Sequence, residues 1–300
     1  MVHETLAATN AVVTLDVALP EVFWGWYVTM NMWAKSIGTG LVFMLFLLLR
    51  KNPDEMKGVR TSVMITSFVM MNVFLLFTLA DLHQPLRMWH IFFYPHLTSA
   101  ITIGAWMATV FVGLESLMIA VMIFKKDTVT YDKLLFWTTL LAVPVTLYTA
   151  AIMAEATARE LWQMPTEAVQ MILAATLSGS AAIILLGGQK LSQNSKDFFA
   201  TILGLSALMA FIIYMSEYIF GAMKAEEVAA ILAYIKGDGA YATMFWIGQW
   251  MAYILPMLLI GLYRKTQNSA MLNFAAILAI AGLWIVKHVW LVIPQLLPLS

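Results

Sequence analysis

Asp81-Leu82-His83-Gln84-Pro85-Leu86-Arg87-Met88-Trp89-His90-Ile91-Phe92-Phe93-Tyr94-Pro95-His96-Leu97-Thr98-Ser99-Ala100-Ile101-Thr102-Ile103-Gly104-Ala105-Trp106 is the stretch on which the reading of the chain turns. It is a polar hinge between two long apolar runs. It gathers Asp81, Arg87 and three of the five histidines (His83, His90, His96) at one membrane edge. Pro85 and Pro95 stop the helices on either side, because proline lacks the N–H a helix interior needs. Trp89, Phe92, Phe93 and Tyr94 supply an aromatic belt of the kind found at headgroup level. A plain turn needs none of this chemistry. One reading is a salt-bridged interface loop in which Arg87 pairs with Asp81. The other is a docking and redox surface on which Arg87, His90 and His96 meet a partner.

Working outward, 62% of the 300 residues are hydrophobic, 11% are charged and the mean hydropathy is +0.83. A soluble domain carries about a quarter charged residues. A net charge of zero gives no electrostatic case for nucleic acid. With no cysteine, the chain cannot ligate an iron–sulfur cluster through thiolates, form a disulfide or attach haem covalently.

Apolar runs of about 20 residues read as bilayer-spanning helices. Eight are expected, at 23–50, 61–82, 97–124, 134–157, 166–188, 198–223, 240–263 and 271–295. Helix is the default because backbone groups in lipid must be satisfied within the segment. The fold class is therefore an all-α integral membrane protein with eight transmembrane helices. Residues 23–300 form one membrane domain, and 1–22 form an N-terminal peripheral segment that lies at the interface or on a partner. Residues 1–20 lack the basic start of a secretory leader and hold Glu4 and Asp16. Residues 226–235 read as a short amphipathic helix, ended by Gly237-Asp238-Gly239.

One set of loops carries Arg50, Lys51, Lys57, Arg60, Lys125, Lys126, Lys133, Lys190, Lys196, Arg264 and Lys265; the other carries only Arg87, Arg159, Lys224 and Lys236. By the positive-inside rule, both termini and the hinge lie outside, on the periplasmic face of a prokaryotic cell (inner) membrane. Lys35 and Lys287 fall within helices.

The hinge also carries a resemblance. Asp81, Leu82, Pro85, Arg87 and Trp89, followed by Ser99 and Gly104-Ala105-Trp106, resemble the turn of the NrfD/polysulfide reductase membrane-subunit family. His83 stands where that family usually has Gly, and anchors of the dimethyl sulfoxide reductase type carry a similar turn. The resemblance covers nearly the whole chain and implies two four-helix bundles. It also implies a quinone-reactive anchor subunit without haem or iron–sulfur cluster of its own. Its partners would be an iron–sulfur, ferredoxin-like subunit and a molybdopterin catalytic subunit, exchanging electrons with a quinone, menaquinone above all. Polysulfide, sulfur, thiosulfate, tetrathionate, nitrite and arsenate are substrates of such complexes. Asn31 and Tyr148 match quinone-site positions of that family; its helix 1 histidine is absent, with Ala34 and Lys35 in that region.

Polar residues at depth point the same way, since they are costly in lipid. Asn31, Lys35, Asp81, His83 and Tyr148 converge on the outer half of the bilayer, with Trp89 and Trp106 available to wall a quinone ring. His83 is favoured as proton donor because histidine ordinarily titrates near neutrality. Each has a structural reading too. Asn31 can glue helices together, Lys35 can pair with Glu217 or Glu155, and Lys287 and His288 can snorkel to the surface. Glu115 falls about 27 Å along its helix at about 1.5 Å per residue. With Thr138, Thr139, Ser178 and Ser180 it can line a proton path, in which Glu217 is the other carboxyl, and so support proton translocation. Two further classes stay open. One is a haem-b cytochrome anchor, for which only His288 is plainly within a helix. The other is a non-redox transporter or anchor, signalled by Pro144 and Pro256 inside helices 4 and 7.

Overall fold

In the computed structural model, residues 22–297 are described, so the expected peripheral segment falls almost wholly outside them. The spanning helices are α1 (Trp26–Lys51), α2 (Pro53–Asp81), α3 (Ala100–Lys125), α4 (Thr128–Glu155), α5 (Met164–Lys190), α6 (Gln193–Met223), α8 (Ala240–Thr266) and α9 (Ser269–Gln295). Between α6 and α8 lies the short helix α7 (Glu226–Lys236). No strand occurs among the described residues.

Several helices begin earlier than the apolar runs predict. Hydropathy marks the part that fits the bilayer, whereas local chemistry sets where the backbone starts to coil. Helix α2 starts at Pro53, with Asp54 and Glu55 in its first turn; Pro suits that position and acids suit a helix N-terminus. Helix α4 starts after Asp127, whose side chain accepts from the Val129 and Thr130 amides at 3.0 and 3.2 Å. Ser192 caps α6 and Asn268 caps α9 in the same way. At this end of the molecule the turns α3–α4, α5–α6 and α8–α9 use left-handed residues Lys126, Gly188 and Gln267.

Helices α1 and α5 form the centre: 72% of each apolar window is buried, against 28% for α2 and α3. Helix α1 packs on α2, α4, α5 and α9. Its crossing with α5 is backbone against backbone, since a Cβ on Gly40 would stand 2.0 Å from the Ala175 carbonyl oxygen. Small residues allow such an approach between membrane helices. Helix α7 buries Val228, Ile231, Leu232 and Ile235, the amphipathic face expected of it. Pro144 lies inside α4, which continues through it, so it does not interrupt the helix. Pro256 follows a π-helical turn at Trp250–Ile254, where Gly282 of α9 packs against the Ala252 backbone.

At the hinge end, several contacts tie the first and last helices together. The Gln295 side chain accepts from the Phe23 and Trp24 amides at 3.0 and 2.9 Å and donates to the Trp24 carbonyl at 3.0 Å. Arg159 donates to the carbonyls of Pro294 and Leu297. Glu155 at the end of α4 accepts from the Ala100 amide at 3.0 Å, capping the start of α3.

Candidate functional site

A cavity of about 700 Å³ lies under the hinge, within the range usual for small-molecule sites. Its wall comes from α1, α2, the hinge, α3 and α4, with Leu291 of α9 at one side. It reaches the flank of the bundle, because the wall residues Leu76 and Ile101 are 60% and 47% exposed on the outside. The hinge itself folds as a tight turn at Pro85–Arg87 and a single helical turn at His90–Phe93. Its inward side presents Gln84, Arg87, Met88, Ile91 and Phe92 to the cavity.

Of the residues singled out in the sequence, Asn31, Asp81, Arg87 and Tyr148 line this cavity. Asn31 donates through its amide to Thr78 Oγ1 at 2.5 Å, and Thr78 bonds back to the Phe74 carbonyl at 2.8 Å. Tyr148 lies against Gly104, where a Cβ would come within 2.3 Å of the ring. Glycine at 104 is therefore what lets the tyrosine ring pack against the α3 backbone. Lys35 does not reach the cavity. It is buried one layer behind, donating to Thr149 Oγ1, with its ammonium 4.3 Å from the Tyr148 ring centroid. It acts on the cavity through two residues that line it.

Other residues are placed elsewhere. His83, His90 and His96 are exposed on the hinge surface. Trp89 packs edge-on against His90, with ring centroids 4.0 Å apart, and is outside the cavity wall, while Trp106 buttresses that wall from behind by packing on Phe92 at 5.5 Å. Arg87 does not pair with Asp81: the ion pairs among the described residues are Lys57–Asp54 and Lys224–Glu217. The two side chains face the same cavity rather than each other. Lys35 accordingly pairs with neither Glu217 nor Glu155, since both carboxyls have other partners.

The expected proton path does not form as one chain. Glu115 is fully buried, and its partner is Ser67 of α2 at 2.5 Å. Thr138, Thr139, Ser178 and Ser180 each bond to a carbonyl of their own helix, as hydroxyls in membrane helices commonly do. Glu217 sits near the end of α6, 2.5 Å from Lys224; α6 packs on α5 and α8, whereas the helix of Glu115 packs on α2 and α4. Lys287 does not snorkel either; it is 5% exposed and donates to the Met171 thioether at 3.5 Å. His288 stacks on Trp284 at 5.1 Å and bonds to Thr29 at 3.0 Å.

Sequence reasoning missed Thr78, Gln84 and Phe92 in the cavity, and Glu167 and Gln170 next to it. Thr78 lies three residues before Asp81 and Glu167 three before Gln170, so each pair shares a helix face. That spacing was the available signal.

Eight apolar helices, with a side-opening cavity among α1–α4 beneath a polar hinge, define a multi-pass membrane protein. The chain belongs to the polysulphide reductase NrfD family, whose profile matches residues 17–297. It is accordingly a membrane subunit of a redox complex. A search of curated proteins gave no match.

Proposed function

We propose that the chain is the quinone-reactive membrane subunit of a respiratory oxidoreductase complex. Electrons pass between a quinone in the 700 Å³ cavity and an extrinsic iron–sulfur subunit docked on the hinge. The observation that carries this reading is the cavity itself. It is mainly apolar, opens on the bundle flank where a lipid-soluble tail can enter, and meets Asn31, Tyr148 and Asp81. A flat ring with two carbonyls needs this combination of apolar walls and few oriented polar groups.

A bound quinone would supply two-electron, two-proton redox chemistry at this place. The chain's own residues orient and exclude. Asn31, fixed by Thr78, and the Tyr148 hydroxyl offer hydrogen bonds to ring oxygens. Lys35 holds Thr149 and lies over the Tyr148 ring, keeping that ring in one position. Asp81, at the mouth, can receive or give a proton towards the hinge surface. Arg87 lines the same mouth, and His90 and His96 lie exposed beside it for an acidic partner surface. With the basic loops inside, this face is periplasmic, and the complex is completed by a ferredoxin-like subunit and a molybdopterin subunit; menaquinone is the quinone we favour.

The test is binding and turnover of a quinol analogue by the assembled complex. Tyr148→Phe should weaken binding or turnover at least about tenfold, the scale of a lost site hydrogen bond, while iron–sulfur content stays intact. Unchanged binding and turnover in an assembled Tyr148→Phe complex would show that the quinone binds elsewhere.

A further inference from the structure

A second, much smaller cavity of about 10 Å³ lies between α1, α4, α5, α6 and α9. That is the room of a single water. Its polar wall is Glu167 and Gln170 from α5, Tyr214 from α6 and Lys287 from α9. Glu167, Gln170 and Lys287 are 1%, 6% and 5% exposed. Each has hydrogen-bonding capacity left over. Glu167 accepts from the Trp290 indole at 3.0 Å. The Gln170 amide nitrogen has no partner. Lys287 reaches only a thioether, a weak acceptor. Glu167 and Lys287 are not in direct contact, since the described ion pairs lie elsewhere. An acid, a cation and an amide thus surround one water-sized space.

The position of this space matters as much as its content. Met32, Met153 and Leu291 line both the small cavity and the large one. One layer of side chains separates them. Two of the three are methionines, unbranched and able to swing aside without moving backbone.

We propose that Glu167, Gln170 and Lys287 hold one water and form a proton site that serves the large cavity across the Met32–Met153–Leu291 partition. The proposal rests on the quinone reading above. Reduction of a quinone to its quinol takes two electrons, delivered by the iron–sulfur partner, and two protons. One of those protons comes through Asp81 from the hinge surface; the other leaves the Glu167 carboxyl for the water, while a proton of the water passes on across the partition, and the carboxylate regains a proton from the aqueous phase before the next turnover. The carboxylate left behind keeps the Trp290 N–H and faces the Lys287 ammonium, which retains its charge. Quinol oxidation runs the same transfer backwards. The other titratable groups around the site are Tyr214 and, stacked on it at 5.9 Å, Tyr253 of α8. Glu217 of α6 is tied to Lys224, and Lys35 of α1 to Thr149.

The assembled complex in lipid nanodiscs would be compared with its Glu167→Gln and Glu167→Asp variants. Analogue binding, proton uptake with a pH-sensitive dye and redox-difference infrared spectra would be measured together. Glu167→Gln should keep analogue affinity within about twofold, lose one carboxylic-acid carbonyl band and slow proton uptake at least about tenfold, with partial recovery in Glu167→Asp. A Glu167→Gln complex with wild-type affinity, the full set of carboxyl bands and unchanged uptake would overturn the proton site alone. Failure of the analogue to bind wild type, or binding indifferent to Asn31→Leu and Tyr148→Phe, would overturn the quinone reading and this transfer with it.

Discussion

The two cavities share a partition and similar residue types yet differ about seventyfold in volume, at about 700 and 10 Å³. The large one lies between α1–α4, where α2 and α3 are loosely covered and the hinge forms a roof. The small one lies among α1, α5 and α9, the most buried of the spanning helices. The difference teaches that polar side chains at depth do not by themselves say what they bind. Space decides. Asn31 and Tyr148 beside a wide apolar slot suit a ring-sized ligand, whereas Glu167 and Lys287 around a water-sized gap suit a proton.

The strongest way to break the comparison is to force apart the helices on which both cavities depend. Gly40→Leu drives a side chain into the Ala175 carbonyl, 2.0 Å from the position of its Cβ. We expect a loss of about 3 kcal/mol or more, seen as a lower melting temperature of the detergent-solubilised subunit, because a backbone contact cannot yield as a side chain can. An unchanged melting temperature would mean that α1 and α5 do not meet as described.

A sharper and smaller test separates the cavities. Gly104→Ala places a methyl within 2.3 Å of the Tyr148 ring. The ring must move, so analogue affinity should fall about tenfold, or about 1.4 kcal/mol. The Glu167 carboxyl band should stay where it is in wild type. If both change together, the partition does not isolate the two sites.

The smallest effect is expected from His83→Ala. His83 is exposed and lines neither cavity. Affinity and proton uptake should remain within about twofold of wild type, as for most surface substitutions. A larger loss in either would restore His83 as the proton donor that its position in the hinge first suggested.

The eight helices and the polar hinge were legible because each depends on local composition: an apolar run long enough to span lipid, ended by proline, caps and charge. Asn31, Asp81 and Tyr148 were legible as polar exceptions within such runs. Other assignments failed for a common reason. Arg87–Asp81, Lys35–Glu217 and a chain from Glu115 through Thr138 to Ser178 all assume that residues at similar depth face one another. Rotation of each helix decides that, and uniformly apolar helices carry little sign of their rotation.

The sequence by itself determined an all-helical membrane chain, its spans, its hinge and the residue types available for chemistry, since backbone groups in lipid must be bonded in helices or a closed barrel and long apolar runs without period-two alternation select the helix. Only the tertiary structure decided that Gly104 makes room for Tyr148, that Lys35 stands behind the cavity, and that Glu167 and Lys287 share a water-sized space. Those facts belong to contacts between helices far apart in the chain, set by close packing rather than by any local pattern.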